Sequence, residues 1–252
     1  MSSTIWTQCE GSSEIRPLAI DPWRVVEAQH LIATRKLVDS DAEQALLEEM
    51  LETEKPPPPP EITGLHYLLF TPFRYPPLRR GSRFGGRWEP SLWYGAEHQR
   101  TAFAEVAYYR LLFLEGTEAD LGLLQTDLTA FRVPLRTDRG VDLTSAPFDR
   151  WDASIGSKSS YEATQPLGAA MRADGVEAFR YRSARDVEGG VNVGVFTPRA
   201  FAARKPRDLQ TWRSLATRQA VEITKHDYFV RENHRFEREG FLERGRLPRP
   251  AV

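Results

Sequence analysis

The spacing of apolar positions changes character about a quarter of the way along the chain. The first twenty residues carry little pattern and predict an irregular arm. From Asp21, an N-cap followed by Pro22 at the first helical position, an apolar stripe of Val25, Val26, Leu31, Ile32, Leu37 and Val38 predicts a helix. A second helix is expected from Ser40 or Asp41, where Glu43 can close a capping box with Ser40. Ala45, Leu46, Met50 and Leu51 would form its buried face. Pro56–Pro60 end this region, because a proline run cannot continue a helix and prefers the extended polyproline conformation.

Beyond the prolines the apolar runs shorten to strand length. Leu65–Phe70 and Leu92–Gly95 read as strands, and Glu97 to about Leu114 as a helix. Leu121–Leu128 and Ala130–Pro134 follow as strands, and residues 137–160, rich in Asp, Ser, Gly and Thr, as a long surface loop. A loop of that length inside a compact domain is uncommon and often functional. Gln165–Ala173 suggests a short helix. Val176–Tyr181 and Val191–Phe196 alternate as strands do, joined by SARDVEGG. A strand pair is expected within Thr211–Thr224, then a charged tail folding as a turn and short helix. The division is therefore residues 1–60 as a helical extension with a proline linker, 61–225 as the main domain, and 226–252 as tail. Short strands with few helices predict an α+β fold with mixed, largely antiparallel sheets.

Composition narrows the chemistry by exclusion. The 252 residues hold 34 basic and 35 acidic side chains, so bulk charge favours neither nucleic acid nor an acidic tail. One cysteine, Cys9, excludes an internal disulfide. The five histidines are scattered without metal-ligand spacing, so no metal is expected. No basic-then-apolar leader or long apolar run is present, which makes a soluble, cytoplasmic protein the expectation.

One stretch carries concentrated chemistry: LRRGSRFGGRWEPSLWYGAEHQRTAFAEVAYYR, residues 78–110. Arg79, Arg80, Arg83 and Arg87 alternate with Gly81, Gly85 and Gly86 in an acid-free loop. Guanidinium forks suit phosphate, and glycines allow close backbone approach. The glycines match neither a P-loop nor a dinucleotide fingerprint. A solvated basic turn, or an RNA contact using Phe73, Tyr75, Phe84 and Trp88, are the competing readings. Glu105 sits among apolar helix residues; a buried carboxylate needs a partner or a task, whereas an exposed one would simply pair with Arg100 or Arg110. Tyr94, at a strand end beside the loop, offers a stacking surface, and Ser183 a hydrogen bond. No GxSxG elbow surrounds Ser183, so a hydrolase triad lacks support.

Arginine, tyrosine and glutamate followed by a late Ser-Ala-Arg and an N-V-x-V-F-x-P strand resemble the RES domain of bacterial RES–Xre toxin–antitoxin systems, over roughly residues 65–200. The N-terminal segment resembles the helical start of a longer subgroup. GSRF/GGRW, Tyr94, Glu105, Ser183-Ala184 and Asn192-Val193 carry the match. Two arginines compete for one family position: Arg83 fits the spacing, whereas Arg87 sits in GGRW. Glu89 replaces the asparagine that usually follows GGRW, and the aromatic–Arg pair expected near the first strand has Arg74 as its nearest counterpart.

The resemblance implies an ADP-ribosyltransferase-like fold and consumption of NAD+ as substrate, with no resident cofactor. The nicotinamide–ribose bond would be split, nicotinamide leaving and the ADP-ribosyl group passing to inorganic phosphate, to water or to a protein side chain. Glu105 would stabilise the oxocarbenium-like state. Arg83, helped by Arg87, would hold the pyrophosphate; Tyr94 would stack on nicotinamide or fix its ribose; Ser183 would bond the ribose or acceptor, with Arg185 and Asn192 as further substrate contacts. A cognate Xre-type helix-turn-helix antitoxin is the implied partner, linking the chain to nucleic acid only indirectly. The N-terminal helices would pack on the domain, receive that partner or build a homo-oligomer. The reading from another class is a non-catalytic nucleic-acid or protein-binding module built on the Arg/Gly loop.

Overall fold

A computed structural model describes residues 4–28, 38–57, 60–77, 79–119, 121–227, 229 and 231–249. The chain is α+β. Strands β1 (Arg16–Ile20), β2 (Trp23–Glu27), β3 (Trp93–Ala96), β4 (Leu124–Arg132), β5 (Leu135–Asp142), β6 (Ala178–Arg182), β7 (Val191–Val195), β8 (Arg207–Ala216), β9 (Ala220–Lys225) and β10 (Asn233–Glu237) form one sheet. Its order is β1-β5-β6-β7-β3-β2-β4-β8-β9-β10. Only β5 and β6 run parallel; the other neighbours are antiparallel. Among the described residues the α-helices are α1 (Ile5–Gln8), α2 (Asp41–Thr53), α3 (Tyr67–Arg74), α4 (Gln99–Gly116), α5 (Asp152–Ile155) and α6 (Thr164–Ala173).

The start of the chain departs most from expectation. Residues 23–27 are a strand rather than the helix predicted from Asp21, and 29–37 of that prediction lie outside the described residues. Val25 and Val26 pair with Ala130 and Thr129 of β4. The β-branched pair thus meets a pleated neighbour, which outweighs the Asp-Pro capping signal. The arm before it holds α1 and β1, with β1 paired to β5. The helix expected near Ser40 forms with its capping box: Glu43 N donates to Ser40 Oγ at 3.2 Å, and Ser40 N donates back to Glu43 Oε2 at 3.2 Å. Its expected buried face is open, with Leu46 57%, Met50 59% and Leu51 44% exposed.

Further along, Leu65–Phe70 is not a strand. His66 caps helix α3, its Nδ1 accepting from Leu68 N at 3.3 Å. The two strands expected at 121–134 are a single β4, and residues 137–142 of the expected loop belong to β5. The pair expected within Thr211–Thr224 is β8 and β9, and the tail adds β10 to the sheet edge before its short 3-10 turn.

Helix α4 fixes the central packing. Phe103, Ala107, Tyr108, Leu111 and Leu114 bury one face against Leu128, Trp212, Val221 and Ile223. Each such large apolar side chain contributes about 1.5–3 kcal/mol by burial. Beside it the sheet opens. The β2–β3 pairing holds only at Trp23↔Ala96, and the two strands bound a cavity.

Candidate active site

The cavity measures about 870 Å³, within the roughly 300–1,000 Å³ of small-molecule sites. Arg24 to Glu27 of β2, Tyr94 of β3 and the loop Arg79–Arg83 line it. Helix α4 adds Ala102, Glu105, Val106, Tyr109, Arg110 and Phe113, a three-and-four spacing that forms one helical stripe. Its neighbouring stripe is the core face just described, so burial of α4 aims Glu105 into the cavity.

Two side chains converge on one oxygen of that carboxylate. Ser183 Oγ donates to Glu105 Oε1 at 2.9 Å, and Asn192 Nδ2 donates to the same oxygen at 2.6 Å. Oε2 has no protein partner among the described residues. Asn192 stands on β7 and is 2% exposed. Ser183 does not line the cavity. Its Oγ accepts from Arg185 N and Asp186 N, both at 3.1 Å, so its single proton is directed at Glu105. Ser183 therefore orients the carboxylate from behind rather than facing a ligand.

Guanidinium groups form the walls. Arg83 is 8% exposed; Nη1 donates to Ile155 O at 2.9 Å and Ser157 O at 2.8 Å, and the group lies over Tyr161 at 5.0 Å. Arg185 is 3% exposed; Nη2 donates to Lys158 O at 2.8 Å, the group lies 3.6 Å over Tyr108, and Nη1 has no hydrogen-bond partner among the described residues. Arg24 Nη1 donates to Tyr94 O at 2.6 Å, bridging the gap between β2 and β3. Burial lowers its pKa to about 10, which leaves it cationic at neutral pH. None of the three is ion-paired to a carboxylate among the described residues. Segment 155–158, inside the stretch expected as loop, thus orients two of them through the carbonyls of Ile155, Ser157 and Lys158.

The Arg/Gly loop is held rigidly. Gly81 has φ +71°, and a Cβ there would meet Gly85 O at 2.2 Å, so only glycine fits. Gln165 Nε2 of α6 donates to Arg80 O and Ser82 O at 3.1 Å. Tyr94 joins the loop to β3: its hydroxyl bonds Ser82 Oγ at 2.9 Å and accepts from Phe84 N at 3.2 Å. Burial pushes that phenol up to about 12. Glu89 accepts from Gly86 N at 2.5 Å, giving the departure from the expected asparagine a loop-closing role.

Of the expected site residues, Glu105, Arg83, Tyr94, Arg185 and Asn192 line this one cavity, with Ser183 directly behind. Arg87 is not brought there. It is exposed, its guanidinium 4.2 Å over the ring of Trp88, itself 83% exposed. Arg74 lies elsewhere too, with Nε donating to Pro56 O at 2.7 Å. Sequence reasoning missed the wall tyrosines Tyr109, Tyr161 and Tyr181 and one arginine, Arg24. Its signal was the aromatic–Arg pair Trp23–Arg24, hidden by the helical reading of that segment.

Fold and site define a class: an α+β protein with a carboxylate, Glu105, held by neutral donors in an arginine-walled cavity. The family model of the RES domain matches residues 58–215, more than half of the chain, and the chain belongs to the RES domain family. That family is associated with NAD-utilising enzymatic activity. Strands β1, β2, β9 and β10 fall outside the matched segment. A search of curated proteins finds no match to the chain. Among the described residues no helix is long and apolar enough to cross a membrane.

Proposed function

We propose that the protein is an NAD+-degrading toxin that cleaves the nicotinamide–ribose bond, as an NAD+ phosphorylase or glycohydrolase, and is neutralised by a helix-turn-helix antitoxin. The observation that carries this is the charge balance of the cavity. Among the described residues Arg24, Arg83 and Arg185 reach it without carboxylate partners; of the two carboxylates that line it, Glu27 is paired with Arg110, whereas Glu105 is held only by the neutral donors Ser183 and Asn192. Buried cations are costly without a counter-charge. A pyrophosphate supplies two negative charges, and the pyridinium of NAD+ one positive charge suited to Glu105 and the tyrosine walls.

In this reading the C1′–N1 bond breaks with its electron pair moving to nitrogen, neutralising the pyridinium. Glu105 Oε2 faces the developing ribosyl cation and orients the acceptor. The acceptor oxygen then bonds C1′: phosphate attacks through an oxygen already ionised, whereas water releases a proton to solvent. Arg24, Arg83 and the loop arginines hold the pyrophosphate, and Tyr109, Tyr161 and Tyr181 offer faces to the flat ring. Tyr109 and Phe113, 54% and 52% exposed, leave an apolar rim at the cavity fit for a covering partner. The guanidinium of Arg83 is turned inward rather than along an outer stripe, which supports a small-molecule site over a nucleic-acid face.

The test is incubation of the protein with NAD+, with and without inorganic phosphate, followed by mass spectrometry of the products. Phosphorylated ADP-ribose identifies a phosphorylase and free ADP-ribose a glycohydrolase. Absence of nicotinamide release in both buffers overturns the reading.

A further inference from the structure

Two buried polar groups outside the cavity, Thr101 and Asp186, are 1% and 7% exposed and take no part in the site described above. Thr101 stands one turn before Glu105 on α4, so the two share a helical face. The loop after β6 meets that face at two rungs. On the first, Thr101 Oγ1 donates to Asp186 Oδ2 at 2.7 Å; on the second, Ser183 Oγ donates to Glu105 Oε1 at 2.9 Å. The rungs are joined on the loop side, because Asp186 N donates to Ser183 Oγ at 3.1 Å.

The first rung is fully satisfied. Arg100 donates to Asp186 Oδ1 and also pairs with Glu188 at 2.9 Å, while Glu188 N donates to Asp186 Oδ1 at 3.1 Å. Gly190 closes the loop against it: a Cβ there would lie 2.1 Å from Thr101 Oγ1 and 2.5 Å from Asp186 Oδ2. Arg100 in turn lies 5.5 Å over Phe236 of β10, beyond the family-matched segment. A buried, fully bonded carboxylate network fixes one geometry. Here the geometry it fixes is the loop that aims the Ser183 proton.

We propose that Thr101 and Asp186 are positioning residues for Glu105, acting through Ser183; the catalytic part of this rests on the NAD+-cleaving reading above. Thr101→Val removes the rung and keeps the side-chain shape, whereas Thr101→Ser keeps the hydroxyl. Thr101→Val lowers kcat for nicotinamide release about tenfold with KM for NAD+ within about twofold, and Thr101→Ser stays near wild type. Because both residues act through one hydrogen bond, Thr101→Val/Ser183→Ala is no slower than Ser183→Ala alone. Equal losses in the Val and Ser variants, or additive losses in the double variant, overturn the proposal.

A second readout does not depend on turnover. The amides of Arg185 and Asp186 bond Ser183 Oγ, so their hydrogen exchange accelerates in Thr101→Val and in Asp186→Asn. Unchanged exchange at both amides overturns the proposal even if the wild-type protein releases no nicotinamide, a result that would separately sink the functional reading.

Discussion

Replacing Asn192 by aspartate tests the electrostatics of Glu105 most sharply. The substitution keeps shape and volume but turns the donor 2.6 Å from Glu105 Oε1 into a second carboxylate, at a position only 2% exposed. Two carboxylates that close cannot both ionise, and the pair retains a proton. With relaxation to about 3.5 Å and an effective dielectric constant of about 20, the repulsion is about 4–5 kcal/mol, or about three pH units. The sign follows: the dyad's upper ionisation is raised, so the doubly charged form returns only as pH rises. Nicotinamide release by Asn192→Asp, measured from pH 5 to 10 with circular dichroism to verify folding, is expected to be about three- to sevenfold slower than wild type at pH 7. The gap should narrow steadily toward pH 10. A profile superimposable on wild type, or a uniform loss at every pH, would refute the role assigned to the Glu105 charge.

Arg83 and Arg87 separate the two candidates for the family arginine. Arg83→Ala is expected to raise KM for NAD+ at least about tenfold and, by leaving Ile155 O and Ser157 O without their donor, to cost about 1–3 kcal/mol in denaturant unfolding. Arg87→Ala, outside the cavity, should leave both kinetic constants within about twofold; steady-state kinetics on the pair decides between them. Alkaline stability follows from Tyr94, whose phenol is pushed up to about 12 by burial. The folded state holds that proton more tightly than the unfolded chain. Its contribution, at most about 3 kcal/mol, is complete below about pH 10 and is lost as pH rises through the folded value. Urea midpoints should therefore fall less steeply between about pH 10 and 12 in Tyr94→Phe than in wild type.

The sequence was most readable where local signals and tertiary packing agree. The Ala- and Leu-rich pattern from residue 97 becomes α4, and the alternation at Val191–Phe196 becomes β7, so Glu105 and Asn192 stood on the expected elements. Misreadings arose where a local signal met a stronger distant one. Asp21–Pro22 resembles a helix start, yet Pro22 O accepts from Val133 N at 3.3 Å and the next five residues pair with β4. That misreading concealed Arg24. Leu65–Phe70 is a short apolar run whose period suits helix or strand alike, and packing on β3 selects the helix. TDRGVD in β5 has a loop-like composition, but its backbone pairs with β1 on one side and β6 on the other. The partner of a strand is a property of the fold, so polar strands escape a reading by composition. The role of Ser183 was half visible: its neighbourhood to Glu105 follows from the family order, but only the two amides on its oxygen assign its proton.

In the proposed reaction Glu105 drives cleavage of the nicotinamide–ribose bond. The most direct test of that role is nicotinamide release from NAD+ by wild type and Glu105→Gln at equal concentration, with matched thermal midpoints. Wild type should release nicotinamide steadily and the variant at least about 100-fold more slowly, because the amide keeps the shape but carries no charge to offer the ribosyl cation. Equal release by both proteins would contradict that role.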